Sequence, residues 1–321
     1  MKTLIVGAGI IGAIYGWALA EAGHDITHLV RPGKSGKYAA GIQMDMLDNR
    51  KGHPKNYIGL YTLKVTETVE AADAYELVII PTKPYQLIEA LKQLVPLAGE
   101  ADYLLLTQNW NGTAAIDAIL PQSRYVFGDA KAGGAFQNGV LVSTLFDSLD
   151  LGQIDGIQGE PLKKMAALFE SIGIKTVLQK NILHYIWVQY AINAGLWPPV
   201  VRAGSLEGVL GSSKMGDLCI RGVKECLDVI AARGIDLKQY PETKMYANPS
   251  PIARMAAMVM IRLLFRFNKS VMRSSLHALG DPCEIKTSFY DLLSSGKEHG
   301  VAMPVMSSFE REIEQFSKGK A

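Results

Sequence analysis

Near the amino terminus an apolar run, Thr3-Leu4-Ile5-Val6, breaks into Gly7-Ala8-Gly9-Ile10-Ile11-Gly12 and resumes as a helical pattern through Ile14, Trp17, Ala18 and Glu21. Three glycines at that spacing constrain the backbone more tightly than anything else in the chain. Gly7 permits a tight turn, Gly9 lets backbone approach a pyrophosphate, and Gly12 lets the helix close on the strand, so that free N–H groups at the helix start face the phosphates. A glycine triplet alone is a weak signal. Here a strand precedes it, a helix follows it, and a second strand, Asp25-Ile26-Thr27-His28-Leu29-Val30, completes the unit. Gly7, Gly9, Ile10, Ile11 and Gly12 are therefore expected to bind a dinucleotide.

The end of the second strand selects between the nicotinamide cofactors, because the residue there faces the adenosine ribose. That residue is Arg31, and no Asp or Glu lies between Asp25 and Asp45 to take the ribose hydroxyls. Arg31, Lys34 and Lys37, on a Pro/Gly/Ser loop, instead offer a guanidinium and two ammonium groups that suit a 2′-phosphate. The expected cofactor is NADP, although Lys34 and Lys37 also read as solvated loop cations.

The balance of 33 basic against 31 acidic residues, a net charge of +2, argues against nucleic-acid and membrane partners. Cys219, Cys226 and Cys283 are odd in number and lack metal-ligand spacing, so no metal is expected and a reduced cytoplasmic setting is the simplest reading. Two stretches, Thr3 to Ala20 and Asn181 to Val201, carry no charged residue. The glycines of the first fall at nucleotide-loop positions, which argues against a signal peptide. The second holds Asn181, His184, Gln189, Asn193 and the pair Pro198-Pro199, which argues for a buried helix rather than a membrane span.

Short apolar runs alternate with helical patterns as far as Lys180: strands at Leu77 to Ile80, Tyr103 to Leu106, Tyr125 to Phe127 and Val140 to Val142, and helices near Tyr85 to Leu94, Thr113 to Leu120 and Glu160 to Ile172. This predicts an α/β fold, with a doubly wound parallel sheet over residues 1–180. Strand signals then vanish. Helical patterns run over Ile182 to Trp197, Ser205 to Arg233, Pro251 to Leu279, Pro282 to His299 and Pro304 to Phe316, with a frayed tail from Ser317 to Ala321. Residues 181–321 are read as an all-α domain for substrate binding and dimerisation; a homodimer is one alternative, and the oligomeric state stays open.

Several of these segments together resemble the ketopantoate reductase (2-dehydropantoate 2-reductase) family: the glycine loop, Arg31, Pro81-Thr82-Lys83-Pro84-Tyr85-Gln86, Gln108-Asn109, Trp187 to Pro198, and Glu284-Ile285 ahead of His299-Gly300-Val301-Ala302-Met303-Pro304. The resemblance implies an NADPH-binding Rossmann domain, a helical domain like that of 6-phosphogluconate dehydrogenase, and a cleft between them. It also implies reduction of an anionic 2-oxo acid, as in pantothenate biosynthesis. Lys83 and Asn109 follow successive strands, where open α/β sheets bind ligands; Lys83 also reads as a surface lysine, and Asn109-Trp110-Asn111-Gly112 as a plain turn. Trp110 stands where the family usually has glycine. The resemblance makes Glu284 a substrate-binding residue, and Asp281-Pro282-Cys283-Glu284 is also a capping sequence.

The departure lies in the helix that opens the second domain. In the family, a lysine two residues after the Trp and four before an Asn donates the proton. Here Trp187 and Asn193 remain, but that place holds Gln189, and Trp197 stands where a second Asn is common. A neutral amide donates a hydrogen bond to a carbonyl but cannot protonate an alkoxide. Lys83, a protonated Glu284 or water would have to fill the role, and Gln189 also reads as a satisfied polar residue of a buried helix. Substrate contacts are expected from Asn193, Trp197, Glu284 and a serine, for which Ser270, Ser274 and Ser275 compete. Arg262, Arg266, Lys269 and Arg273 step by four, three and four, a basic stripe suited to an anionic substrate or to solvent. The leading expectation is an NADPH-dependent reductase of a 2-oxo acid or related carbonyl. The alternatives are an imine or opine-type reductase and a catalytically silent NADP-binding sensor.

Overall fold

The first run of the chain is apolar on both faces, as a strand covered on both sides must be. In the computed structural model, which describes residues 1–53, 55–247, 250–277 and 280–318, it forms β1 (Lys2–Val6), an inner strand of an eight-stranded sheet. The strands are β2 (Asp25–Leu29), β3 (Ile42–Asp48), β4 (Asn56–Tyr61), β5 (Lys64–Thr66), β6 (Leu77–Ile80), β7 (Asp102–Leu105), β8 (Tyr125–Asp129), β9 (Ala132–Gln137), β10 (Val140–Leu145), β11 (Ser148–Gly152) and β12 (Lys175–Leu178). The large sheet runs β12-β11-β8-β7-β6-β1-β2-β5, parallel throughout except for the antiparallel β11-β8 pair. All four residues of β6 are buried.

A second sheet, β4-β3-β10-β9, pairs β3 with β10 in parallel and its outer strands antiparallel. The run at Val140 therefore belongs to this smaller sheet and not to the doubly wound one. Its companion β3 alternates apolar Ile42, Met44 and Met46 with polar Gln43 and Asp45, the period-two pattern of a half-covered strand.

The helices of the chain are α1 (Ile10–Glu21), α2 (Pro84–Leu94), α3 (Ala114–Asp117), α4 (Glu160–Ser171), α5 (Ile182–Ala203), α6 (Leu206–Gly211), α7 (Ser213–Ala232), α8 (Lys244–Ala247), α9 (Pro251–Phe267), α10 (Lys269–Ser274), α11 (Pro282–Glu298), α12 (Pro304–Ser307) and α13 (Glu310–Lys318). α1 touches β1 and β2 of the large sheet and β9 and β10 of the small one. Its side chains from Ala13 to Leu19 are buried on every side, which is why the sequence there is uniformly apolar rather than amphipathic. Arg50, buried beside Trp17, pairs with Asp48 at 2.8 Å and Glu21 at 2.7 Å and so ties the end of α1 to the small sheet.

The described chain separates into two compact units, Met1–Leu183 with Arg273–Ser275, and His184–Met272 with the chain from Leu276 onward. Three of the long helical patterns are interrupted. Ser212 divides α6 from α7 by accepting a hydrogen bond from the Met215 N–H as an N-cap. Asn268, extended at φ −102°, separates α9 from α10, and the expected end at Leu279 lies outside the described residues. A break at Ser308 and Phe309 parts α12 from α13, which takes in Ser317 and Lys318 of the expected frayed tail; residues 319–321 of that tail lie outside the described residues. α5 in contrast runs on past Trp197 through Pro198 and Pro199 to Ala203. Its glycine Gly195 crosses α7 so closely that a Cβ would lie 2.5 Å from the Val223 Cα.

Candidate functional site

The glycine loop owes its shape to three different constraints. Gly7 has φ +88°, in the left-handed region that disfavours a side chain. At Gly12 a Cβ would lie 2.8 Å from the Gly7 carbonyl oxygen, so only glycine lets α1 start this close to β1. Gly9 needs neither explanation: its φ is −75°, and no protein atom lies within 4 Å of where its Cβ would be. Open space in front of it leaves the first turn of α1 accessible at Ile10 and Ile11. That turn has no side-chain cap and no acidic residue, so its N–H groups are available to an anion.

His28 braces this loop from behind. Its Nδ1 is 3.0 Å from the Gly7 carbonyl and its Nε2 is 2.9 Å from the Tyr61 hydroxyl. A neutral ring that donates from Nδ1 and accepts at Nε2 satisfies both partners. Burial pushes the imidazole pKa down and outweighs the opposing effect of the Gly7 carbonyl. Gly16 makes room for the arrangement, since a Cβ there would sit 2.5 Å from His28 Nε2.

Beyond β2, Arg31, Lys34 and Lys37 are exposed on the loop that leads to β3. Glu67, in the turn after β5, clamps that loop: its two carboxylate oxygens each accept an N–H at 2.8 Å, from Gly33 and from Ser35. With the Ser35 hydroxyl these bonds hold its pKa down to about 2. Glu67 escapes a reading of the local sequence because it lies more than thirty residues downstream of the loop it holds.

The strand order reverses between β1 and β6, the place where open α/β sheets take ligands at the carboxyl edge. Gly7 follows β1 there. Lys83 follows β6 as the N-cap of α2, with Pro84 at N1. Asn109 follows β7, the next strand, and donates from Nδ2 to the Gly112 carbonyl at 2.7 Å; Trp110 beside it is buried. The turn reading of Asn109 is thus realised at one end of its amide.

In the helical unit, Gln189, Asn193 and Trp197 lie along one face of α5. Gln189 donates from Nε2 to the Glu242 carboxylate at 2.6 Å. Trp197 packs against the cluster of Val200, Val209 and Cys219 and is in part a core residue. Glu284 stands at N3 of α11, where its N–H donates to the Asp281 carboxylate at 3.1 Å, as the capping reading requires. Seven residues on, Asp291 accepts a 2.6 Å hydrogen bond from the Tyr190 hydroxyl. Burial first, then Asp291, and then Glu284 push the Tyr190 pKa up, and burial raises that of Asp291. Sequence reading missed Glu242 and Asp291, since neither belongs to a local motif.

The basic stripe does not survive as one surface. Arg262 and Arg266 stand on α9, but the break at Asn268 puts Lys269 and Arg273 on α10. Arg273, in the first unit, forks onto Asp45 with nitrogen to oxygen distances of 2.8 and 3.1 Å. Ser274 backs onto Gly133, where a Cβ would lie 2.5 Å from the Ser274 carbonyl oxygen. Ser270 is half-buried on α10.

A family model described as ketopantoate reductase PanE/ApbA matches residues 3–155. The 2-dehydropantoate 2-reductase of Pyrococcus abyssi is 30% identical over 206 residues, a match spanning 62% of this chain and 63% of that protein. Over these residues the chain is similar to the ketopantoate reductases, and it spans less than two thirds of the length of that relative. The 2-dehydropantoate 2-reductase of Halobacterium salinarum extends the likeness at 23% identity over 315 residues, 95% of each chain. Among solved structures, D-mandelate dehydrogenase with NADH and anilino(oxo)acetate shares the fold at a TM-score of 0.74 and 18% identity, covering 99% of both chains. The resemblance carried by the glycine loop and Lys83 thus falls inside the segment matched by the ketopantoate reductase model, whereas Gln189, Asn193 and Glu284 fall outside it.

Proposed function

We propose that this ketopantoate reductase relative is an NADPH-dependent reductase of a 2-oxo acid or a related carbonyl compound. The observation that carries the reading is Gly9, a glycine that neither backbone angle nor packing requires, set before an uncapped helix start. Those residues fit a dinucleotide pyrophosphate. When bound, the cofactor supplies the hydride that reduces the carbonyl carbon. Arg31, with Lys34 and Lys37, takes the 2′-phosphate, and Glu67 keeps the loop in the shape that presents them.

Asn193, Glu284 and Ser270 serve the substrate in this reading, and Gln189 contributes no proton, because its amide is no acid and is held by Glu242. Of the groups able to give up a proton, Lys83 shares the carboxyl edge with the glycine loop, and we assign it the protonation of the product oxygen. The amide-carboxylate pair at Gln189 favours one further reading, an imine or opine-type reductase, in which the substrate nitrogen carries its own proton. No helix among the described residues is long and apolar enough to cross a membrane. A cytoplasmic setting for the three unpaired cysteines belongs to the same proposal.

Fluorescence titration with NADPH and NADH, followed by turnover on a panel of 2-oxo acids and imines, tests it. Arg31→Asp should weaken NADPH by about 2 kcal/mol or more and NADH much less, through loss of a charge-assisted phosphate contact. Equal losses refute the cofactor choice; binding without turnover on any member of the panel refutes the reductase.

A further inference from the structure

β2 engages both backbone groups of Gly7. The Gly7 N–H donates to the Leu29 carbonyl at 2.7 Å, and the Gly7 carbonyl accepts from Nδ1 of His28 at 3.0 Å. A carbonyl can only accept, so Nδ1 carries the proton, and Nε2 of the neutral ring is left to accept from the Tyr61 hydroxyl at 2.9 Å. His28 and Tyr61 are both buried. A chain of hydrogen bonds therefore runs from β4 of the small sheet, through β2, to the first glycine of the loop, and each bond polarises the next.

Glycine is what makes such a hold necessary. A residue without a Cβ, at φ +88°, turns over easily, and rotation of the Gly7–Ala8 peptide exchanges the directions of the Gly7 carbonyl and the Ala8 N–H. That peptide is planar and trans, so while the carbonyl is drawn back to His28 the Ala8 N–H points away from the ring. Turned over, the same peptide would aim a carbonyl oxygen forward, against the negative charge of a phosphate. We propose that His28, supported by Tyr61, is a positioning residue for the cofactor: its Nδ1 proton locks the Gly7–Ala8 peptide in the orientation that offers the pyrophosphate an N–H rather than a carbonyl. This rests on the reading of the loop as a dinucleotide site. A packing role would need only the volume of the ring in the notch left by Gly16, not the proton on Nδ1. The pyrophosphate is common to both nicotinamide cofactors, so the effect of His28 falls on NADPH and NADH alike, unlike that of Arg31.

Fluorescence titration of the full chain with NADPH and with NADH, beside urea unfolding, tests this. The amide nitrogen of Asn can take the place of Nδ1, and that of Gln the place of Nε2. His28→Asn should therefore keep both dissociation constants within about threefold of wild type, since the bond to Gly7 is kept. His28→Gln should raise both at least about tenfold, the effect expected when a dipole facing a charged group is free to reverse, although both variants remove the same ring from the core. Tyr61→Phe removes one oxygen and leaves the ring packed; it should raise both constants about threefold or more, and it decides the matter if the His28 variants do not fold. Equal losses in the Asn and Gln variants, in step with their unfolding midpoints, assign His28 to packing and overturn the proposal. So does wild-type affinity in His28→Gln or in Tyr61→Phe. A wild-type chain that binds neither dinucleotide overturns it together with the cofactor reading, whereas wild-type binding with an indifferent His28→Gln overturns it alone.

Discussion

α1 and α9 are both strongly apolar helices, yet α1 is buried on all sides between two sheets and α9 turns its largest side chains outward. The difference is one of partners rather than of hydrophobicity. α1 is enclosed because the small sheet, assembled from strands distant in sequence, closes over it. α9 meets α7, α8 and α6 of its own unit, and the large side chains of its other face are exposed. A helix buried on all sides should be intolerant of added volume everywhere, and one exposed along a face should tolerate polar change there.

The largest effect is expected at Gly16→Val on α1. Its new carbon would fall on the His28 ring, and overpacking of this kind should cost about 3 kcal/mol or more in urea unfolding. A cost below about 1 kcal/mol would break the enclosure argument. Next come the two glycines at the start of α1, which separate packing from binding. Gly12→Ala should cost about 1–3 kcal/mol of stability, because its Cβ meets backbone. Gly9→Ala should leave the unfolding midpoint in place while weakening dinucleotide binding; loss of stability there would show that Gly9 serves the fold.

The pH dependence of α1 follows from His28. Its folded pKa lies below the ordinary 6.5, so as pH falls through that value the unfolded chain takes up a proton that the folded chain refuses. Stability should therefore be complete above about pH 6.5 and decline below it until the folded pKa is reached, by at most about 1.4 kcal/mol per pH unit. His28→Gln should flatten this part of the profile, and an unchanged slope would assign it to other groups. The smallest effect is expected on α9, where Leu263→Ser at an exposed position should change stability by no more than about 0.5 kcal/mol. A loss of several kcal/mol would mean that α9 is packed like α1, and the contrast between the two helices would fail.

The strands around the glycine loop were legible because each is short, apolar and bounded by turn residues. The strand at Val140 was visible but was given to the wrong sheet, since pairing partners are not a local property. Helix ends were misjudged where a single side chain intervened. Ser212 and Asn268 each interrupt an otherwise continuous apolar pattern by accepting a backbone N–H. The apparent basic stripe rested on an unbroken helix and dissolved with it, and Arg273 proved to be committed to Asp45.

The sequence by itself determined the glycine loop, its strand and helix, the basic residues that follow β2, and the change from an α/β to a helical unit. These are encoded in backbone freedom, periodicity and charge within a few neighbouring residues. Only the tertiary structure decided which groups hold them. Glu67 reaches back to Gly33 and Ser35, Tyr61 and His28 meet behind Gly7, and Glu242 accepts the Gln189 amide that the resemblance had set at the reacting carbonyl. Each of these contacts joins residues thirty or more positions apart. Hydrogen bonds and burial depend on what the fold brings together, and no local pattern records that distance.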